Sequence, residues 1–265
     1  MDEDLGSGDL TSGCLDSELK VNWHVEIQAE GIVCGLGIAE YLFSHAPSES
    51  SEYSFTAHNK DGDCVVRGDR VIEGRTNAKR ALMAERTMLN FLMHLSGIAT
   101  MTSQFVERTE GTRAEIIDTR KTIPNLRHLE KYAVRCGGGR NHRMGLYDGI
   151  LIKDNHIRAC GSIREAVERV RGYAPHLVKI EVECENLDMV SEAIESGADV
   201  VMLDNMDPFM MREAVKLNDS RVILEASGGI TLETVRGVAQ TGVDLISVGA
   251  ITHSAPGLSM HMEIV

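Results

Sequence analysis

The chain has 265 residues, 43% apolar and 25% charged, with a formal net charge of -13 at pH 7. That length admits one large α/β domain or two ordinary ones, with the composition of a soluble globular protein. The excess of acid speaks against nucleic-acid binding, because no basic stripe is available to displace counterions. The opening MDEDLGSGDLTSG is acidic and reads as neither a secretory nor a mitochondrial signal, and no run approaches the roughly 20 apolar residues that span a bilayer.

In chain order, the first half alternates in short stretches, VNWHVEIQAEGIVCG and then YSFTAHNKDGDCVVRGDRVIEGRT, split by turn signals at NKDGD and at GD. This pattern predicts an α+β domain. A long helical run follows from about Asn77 to Phe105, with Leu82, Leu89, Leu92, Met93 and Leu95 as its apolar stripe. The predicted division is 1–97, an N-terminal α+β domain with this bridging helix, and 98–265, an α/β barrel. The last residues are left free to pack back on the N-terminal domain.

The second half repeats a beat. Strand-like runs occur at AEIID (114–118), GILIKD (149–154), LVKIEVE (177–183), ADVVMLD (198–204), RVILEAS (221–227) and DLISVG (244–249). Helical patterns separate them: ENLDMVSEAIESG closes at Gly197, and TLETVRGVAQTG opens with Thr231, Glu233 and Thr234 and closes at Gly242. Alternation at this spacing implies a parallel sheet with right-handed crossovers. Six strands fall short of eight, so the fold class is α/β, an incomplete TIM-like barrel preceded by an α+β sandwich domain; an open doubly wound sheet is the runner-up.

The six cysteines show no CxxC pair, which argues against a structural zinc site and fits thiols in a reducing cytoplasm. Gly35–Gly37 lacks the third glycine of a dinucleotide loop, and CGGG (136–139) lacks the GK[ST] of a P-loop. Its glycines would instead let the backbone swing NHR into a pocket.

Parallel α/β structures bind ligands at the carboxyl ends of their strands. That rule gathers Thr119, Arg120 and Lys121 from the first strand, Lys153 from the second, Glu181 and Glu183 from the third, Asp204 from the fourth, Ser227, Gly228 and Gly229 from the fifth, and Gly249 from the sixth. Period-two alternation puts Lys179, Glu181 and Glu183 on one face, pointing into the barrel if the apolar set meets the helices. Arg120 and Lys121 alone suit a solvated loop; joined by His142, Arg143 and Lys153 in an acidic chain, they point to a small polyanion. His142 suits a structural histidine or a donor equally. Glu183 and Asp204 either neutralise Lys179 or hold ribose hydroxyls or magnesium. The run ASGG suits phosphate held by backbone N–H groups.

These residues, taken in order, resemble the quinolinate phosphoribosyltransferases, the decarboxylating nicotinate-nucleotide pyrophosphorylases of NAD synthesis. The resemblance rests on GSGDLTS near the start, ERTMLNFLMHLSGIAT, DTRKTIPNLRHLEKYAVRCGGGRNHRMGLYDGILIKDNHI, KIEVEC, VVMLDNM, EASGGIT and ISVGAITHSA, and so covers nearly the whole chain. Asn125 stands where the family usually has glycine; Asn is the next most tolerant of positive φ.

The resemblance implies a homodimer, or a higher assembly of dimers, in the cytoplasm, with sites built from both subunits. It implies that Thr119, Arg120, Lys121, His142, Arg143 and Lys153 hold quinolinate, with Arg86 reaching in from the partner subunit. Glu183 and Asp204 would face the ribose of phosphoribosyl pyrophosphate and Mg2+, and Ser227, Gly228, Gly229 and Gly249 its 5-phosphate. Two other readings keep the fold: a barrel lyase forming a Schiff base on Lys153, and a non-decarboxylating or binding-only relative of the kind associated with molybdate transport. The complete DTRKT and NHR runs argue against the latter.

Overall fold

The computed structural model describes residues 1–47 and 52–265 and divides into two compact units. Residues 1–103, 135–138 and 255–265 form the first unit, and residues 104–134 and 139–254 the second. Elements are numbered in chain order: α1 (Asp2–Leu5), β1 (Lys20–Ile27), β2 (Gly31–Ile32), α2 (Leu36–His45), β3 (Ser54–Ala57), β4 (Cys64–Val65), β5 (Arg70–Asn77) and α3 (Ala78–Thr109). The second unit contributes β6 (Glu115–Ile117), α4 (Arg127–Cys136, its end counted with the first unit), β7 (Ile150–Ile152), α5 (Asp154–Cys160), α6 (Ile163–Tyr173), β8 (Ile180–Cys184), α7 (Leu187–Glu195), β9 (Val200–Asp204), α8 (Pro208–Asn218), β10 (Ile223–Ser227), α9 (Val235–Ala239), β11 (Leu245–Ser247) and α10 (Ala250–His253). The chain ends with β12 (Met260–Ile264) back in the first unit.

In the first unit an antiparallel sheet runs β12-β1-β5-β3. Alternation along β1 puts Trp23, Val25 and Ile27 into the core. Trp23 stacks on Phe43 of α2 with ring centroids 4.5 Å apart, and Gly74 sits opposite Trp23 on β5 because any Cβ there would overlap the indole. The layer is closed by α3 through Ala81, Ala84, Met88, Leu89 and Leu92. Leu82, expected on that stripe, is exposed instead: small residues at 81 and 84 let the helix lie close to the sheet. A buried aromatic or aliphatic side chain is worth about 1.5–3 kcal/mol, so this cluster holds the unit together.

The six strands expected in the second half are all present and parallel, in the order β6-β11-β10-β9-β8-β7. The first two strands in sequence lie at opposite edges, and β8 to β11 fill the space between them in chain order. That is the winding of a barrel; a doubly wound sheet starts in the middle and reverses. Beside β6, the segment carrying Arg140 adds one parallel bridge, Ile117 to Arg140.

Helix starts follow the sequence. Side chains of Ser162, Asn186 and Asp207 accept from the backbone N–H three residues on, capping α6, α7 and α8. Near α9 the Thr231 N–H donates to Thr234 Oγ1 at 2.9 Å, but the helix begins only at Val235, later than expected. Gly197 (φ 83°) and Gly242 (φ 97°) end their helices in the left-handed region. Among the described residues no helix is long and apolar enough to cross a membrane.

Candidate active site

The carboxyl ends of the six strands surround one cavity of about 460 Å³, lined wholly by the second unit. Thr119, Arg120, Lys121, His142, Arg143 and Lys153 meet there with Glu183, Asp204 and Ser227. Had the sheet been flat, residues of β6 and β7, at opposite edges, could not share a cavity; they do, so the sheet is curled.

The cationic wall is built from β6 outward. Asp118, fully buried, accepts from the Lys131 ammonium of α4, from Asn141 Nδ2 at 2.6 Å and from the His142 backbone N–H at 2.8 Å. Lys131 also donates to the His142 carbonyl at 3.0 Å. Burial pushes the Asp118 carboxyl up and the Lys131 ammonium down from their ordinary values, each opposed by the other. One ion pair therefore pins the Asn141–His142–Arg143 run against the end of β6. Gly138, at φ 87°, turns the chain out of α4 into that run.

Arg143 donates to the Gly149 carbonyl at 2.9 Å. Burial, followed by the Arg120 guanidinium beside it, lowers the Arg143 pKa from its ordinary value. Arg120 Nε is buried and has no hydrogen-bond partner among the described residues. Two guanidiniums that repel each other, one with an unpartnered donor, call for an anion. Lys121, more exposed, stands beside Gly249, where a Cβ would come within 3.0 Å of its side chain.

His142 is engaged on both ring nitrogens: Nδ1 accepts from the Arg143 N–H at 2.6 Å, and Nε2 lies 3.1 Å from Glu181 and 3.7 Å from Glu225. Its ring lines the cavity, and both nitrogens are engaged by groups of the protein. Burial and then Glu181 raise Glu225 well above the ordinary carboxylate value. Nothing in the sequence pattern marks Glu225, which lies within β10.

The acidic side holds Glu183, ion-paired with Lys153, and Asp204, which accepts from Asn205 Nδ2 at 2.9 Å. Glu183 thus neutralises Lys153 and not Lys179, which lines a second cavity of about 550 Å³ at the amino ends of the strands. His142 and Glu225 line both cavities. The larger one is walled by Arg113, Arg140, Lys179 and Asp244 and contains none of the strand-end cations.

After β10, Gly228 (φ 100°) and Gly229 (φ 61°) follow Ser227. A Cβ at Gly228 would overlap Asn205, and the N–H groups of both glycines donate to nothing among the described residues. Consecutive N–H groups in such a turn make an anion cradle. Gly249 precedes α10. Arg86 belongs to the first unit, exposed on α3. Asn125 has φ 67°, the left-handed conformation for which it is suited.

A half-open parallel barrel with guanidinium groups and a glycine cradle at its mouth defines a polyanion-binding α/β enzyme class. The quinolinate phosphoribosyl transferase family matches with its N-terminal domain over residues 9–96 and its C-terminal domain over residues 98–263. A probable nicotinate-nucleotide pyrophosphorylase [carboxylating] of Bacillus subtilis (strain 168) is 47% identical over 99% of this chain and 90% of its own. The chloroplastic nicotinate-nucleotide pyrophosphorylase of Arabidopsis thaliana is 40% identical over 99% of this chain and 80% of its own. The solved nicotinate-nucleotide pyrophosphorylase of Francisella tularensis superposes with a TM-score of 0.95 at 38% identity, covering 100% of this chain and 92% of that one. The chain belongs to the quinolinate phosphoribosyltransferase family.

Proposed function

We propose that this chain joins quinolinate to phosphoribosyl pyrophosphate, releasing pyrophosphate and CO2 and forming nicotinate mononucleotide for NAD synthesis. The observation that carries the reading is the Arg120–Arg143 pair with its unpartnered buried Nε, facing Glu183 and Asp204 across one cavity. Quinolinate is a pyridine with adjacent carboxylates. One ion pair at 4 Å is worth about 4 kcal/mol at an effective dielectric of 20 before desolvation, so several contacts offset the repulsion between two anionic substrates.

Thr119, Arg120, Lys121, Arg143 and Lys153 orient the two carboxylates, and His142 holds Arg143 and Glu181 in place. Ser227, Gly228, Gly229 and Gly249 receive the 5-phosphate. The ring nitrogen then attacks the anomeric carbon as its bond to pyrophosphate breaks. Positive charge develops on the ribose, and Glu183 or Asp204 stabilises it. The ring nitrogen, now cationic, stabilises by its charge the electron pair that stays on C2 when the neighbouring carboxylate departs as CO2, and a proton taken up at C2 completes the product. The protein supplies orientation, charge stabilisation and water exclusion.

Glu183 and Asp204 offer hard oxygen donors beside the phosphate cradle, which fits Mg2+ held by one or two carboxylates and substrate oxygens. Bound there, Mg2+ would neutralise charge on the departing pyrophosphate. The proposal includes a homodimer in which the partner's Arg86 completes the site, and a reducing cytoplasm, which suits six free thiols. A Schiff base on Lys153 is disfavoured because its nitrogen is held by the Glu183 carboxylate.

Purified protein given quinolinate, phosphoribosyl pyrophosphate and Mg2+ is expected to form nicotinate mononucleotide, with nicotinate a far poorer substrate. Equal use of nicotinate would remove the dicarboxylate reading.

A further inference from the structure

In the first unit, Cys34, Asp61 and Cys136 come together: the two sulfurs and a carboxylate oxygen all lie within 4.8 Å of one another. Cys34 follows β2 and is fully buried, while Asp61 and Cys136 are half-buried. The positions lie far apart in sequence, so spacing alone hid them; the exclusion of a zinc site from the absence of a CxxC pair does not extend to this cluster.

We propose that Cys34, Cys136 and Asp61 form a binding site for a thiophilic divalent cation of the Zn2+ type, separate from the barrel site. The cluster is built, and its donors are held in place by neighbours. Asp61 Oδ1 accepts from the N–H groups of Gly35 (2.9 Å) and Leu36 (3.0 Å), which orients the carboxylate. The Cys34 N–H donates to Ser96 Oγ at 2.9 Å, and that hydroxyl donates back to the Cys34 carbonyl at 3.2 Å. Gly62, at φ 100°, follows Asp61 and lies against Cys136, where a Cβ would come within 3.4 Å of its carbonyl. Metal ligands are fixed in this way by hydrogen bonds behind them.

Zn–S bonds of about 2.3 Å in tetrahedral geometry put two ligand sulfurs roughly 3.7 Å apart, which lies within the 4.8 Å span of the cluster. Two thiolates and a carboxylate with a fourth position left to water is a donor set that prefers Zn2+, Co2+ or Cd2+ over Mg2+. A disulfide between Cys34 and Cys136 would use the same sulfurs but gives Asp61 no part. On binding, each thiol gives its proton to solvent and its sulfur lone pair to the cation; no oxidant is required.

The test titrates the reduced, metal-free full chain with Co2+ and follows the thiolate-to-cobalt absorption. One equivalent should saturate the band, Zn2+ should bleach it, and excess Mg2+ should leave it unchanged. Cys136→Ser should remove at least half of it, and Asp61→Asn should weaken binding about ten-fold or more. No band, or a band undiminished in Cys34→Ser/Cys136→Ser, overturns the site. If the variants fail to fold, alkylation mapping of the unaltered protein decides. Zn2+ must slow labelling of Cys34 and Cys136 selectively, and equal labelling or a recovered disulfide rejects the proposal.

Discussion

At the scale of single residues, Arg120 and Arg143 bear most of the functional argument. Charge-assisted hydrogen bonds are worth roughly 1.5–3 kcal/mol, so Arg120→Ala or Arg143→Ala should lower kcat/KM for quinolinate by about ten- to a hundred-fold. The thermal midpoint should barely change; steady-state kinetics and melting check the pair, and unchanged kcat/KM in both variants would refute the clamp. Glu225 makes a different prediction. Its folded pKa is raised, so the folded chain binds that proton more tightly than the unfolded one, whose ordinary value is 4.5. This stabilisation is full below that value and fades as pH rises towards the folded pKa, at up to about 1.4 kcal/mol per pH unit. Glu225→Gln should flatten the decline in urea unfolding measured from mildly acid to neutral pH; parallel wild-type and variant curves would contradict it. These residues were unequally legible. Arg120, Lys121 and Lys153 stand at strand ends, where position implies role, and Arg143 is marked by its basic and amide neighbours in GRNHR. Nothing in the run RHLEKYAVRC marks Lys131, which is buried against Asp118. His142 lines the cavity, but the direction of its nitrogens depends on Glu181 and Glu225, from other strands.

At the scale of elements, β6, α4 and the 139–143 run act together. Removing one partner of a buried ion pair costs about 3–5 kcal/mol, because the other charge is left stranded. Lys131→Ala should therefore lower the denaturant midpoint by that equivalent and reduce activity with it. A normal midpoint would show that Asp118 does not need its partner. After β10, Gly228→Ala meets both a φ of 100° and the Asn205 side chain. It should raise KM for phosphoribosyl pyrophosphate more than KM for quinolinate, and equal changes would argue against the cradle. The six parallel strands were legible because each is a short apolar run closed by a polar strand end and followed by a helical pattern. The helix α2 was not, because GLGIAEYLFSH begins at a glycine without a side-chain cap. Nor was the pairing of β12 with β1, a contact between opposite ends of the chain that local pattern does not encode.

At the scale of the whole molecule, a chain of net charge -13 concentrates its cations where two anionic substrates must meet. Salt screens the general repulsion beyond about 8 Å, and the local pocket acts inside that range. If the partner's Arg86 completes each site, two defective chains can repair each other. Mixing and reassociating Arg86→Ala with Arg143→Ala should recover about a quarter of wild-type activity, from the one intact site in each mixed dimer. No recovery after demonstrated subunit exchange would place Arg86 outside the site. Family membership was legible in the runs around 118–157, whereas the winding that makes a barrel of six strands was not. Alternation fixes parallel strands but leaves their spatial order open.

The most direct measurement is a crystal structure of the chain with quinolinate bound. It should show the dicarboxylate in the cavity at the carboxyl ends of the strands, with Arg120 and Arg143 bonded to its carboxylates. Quinolinate in the opposite cavity, beside Arg113 and Lys179, or absent from both guanidiniums, would contradict the account.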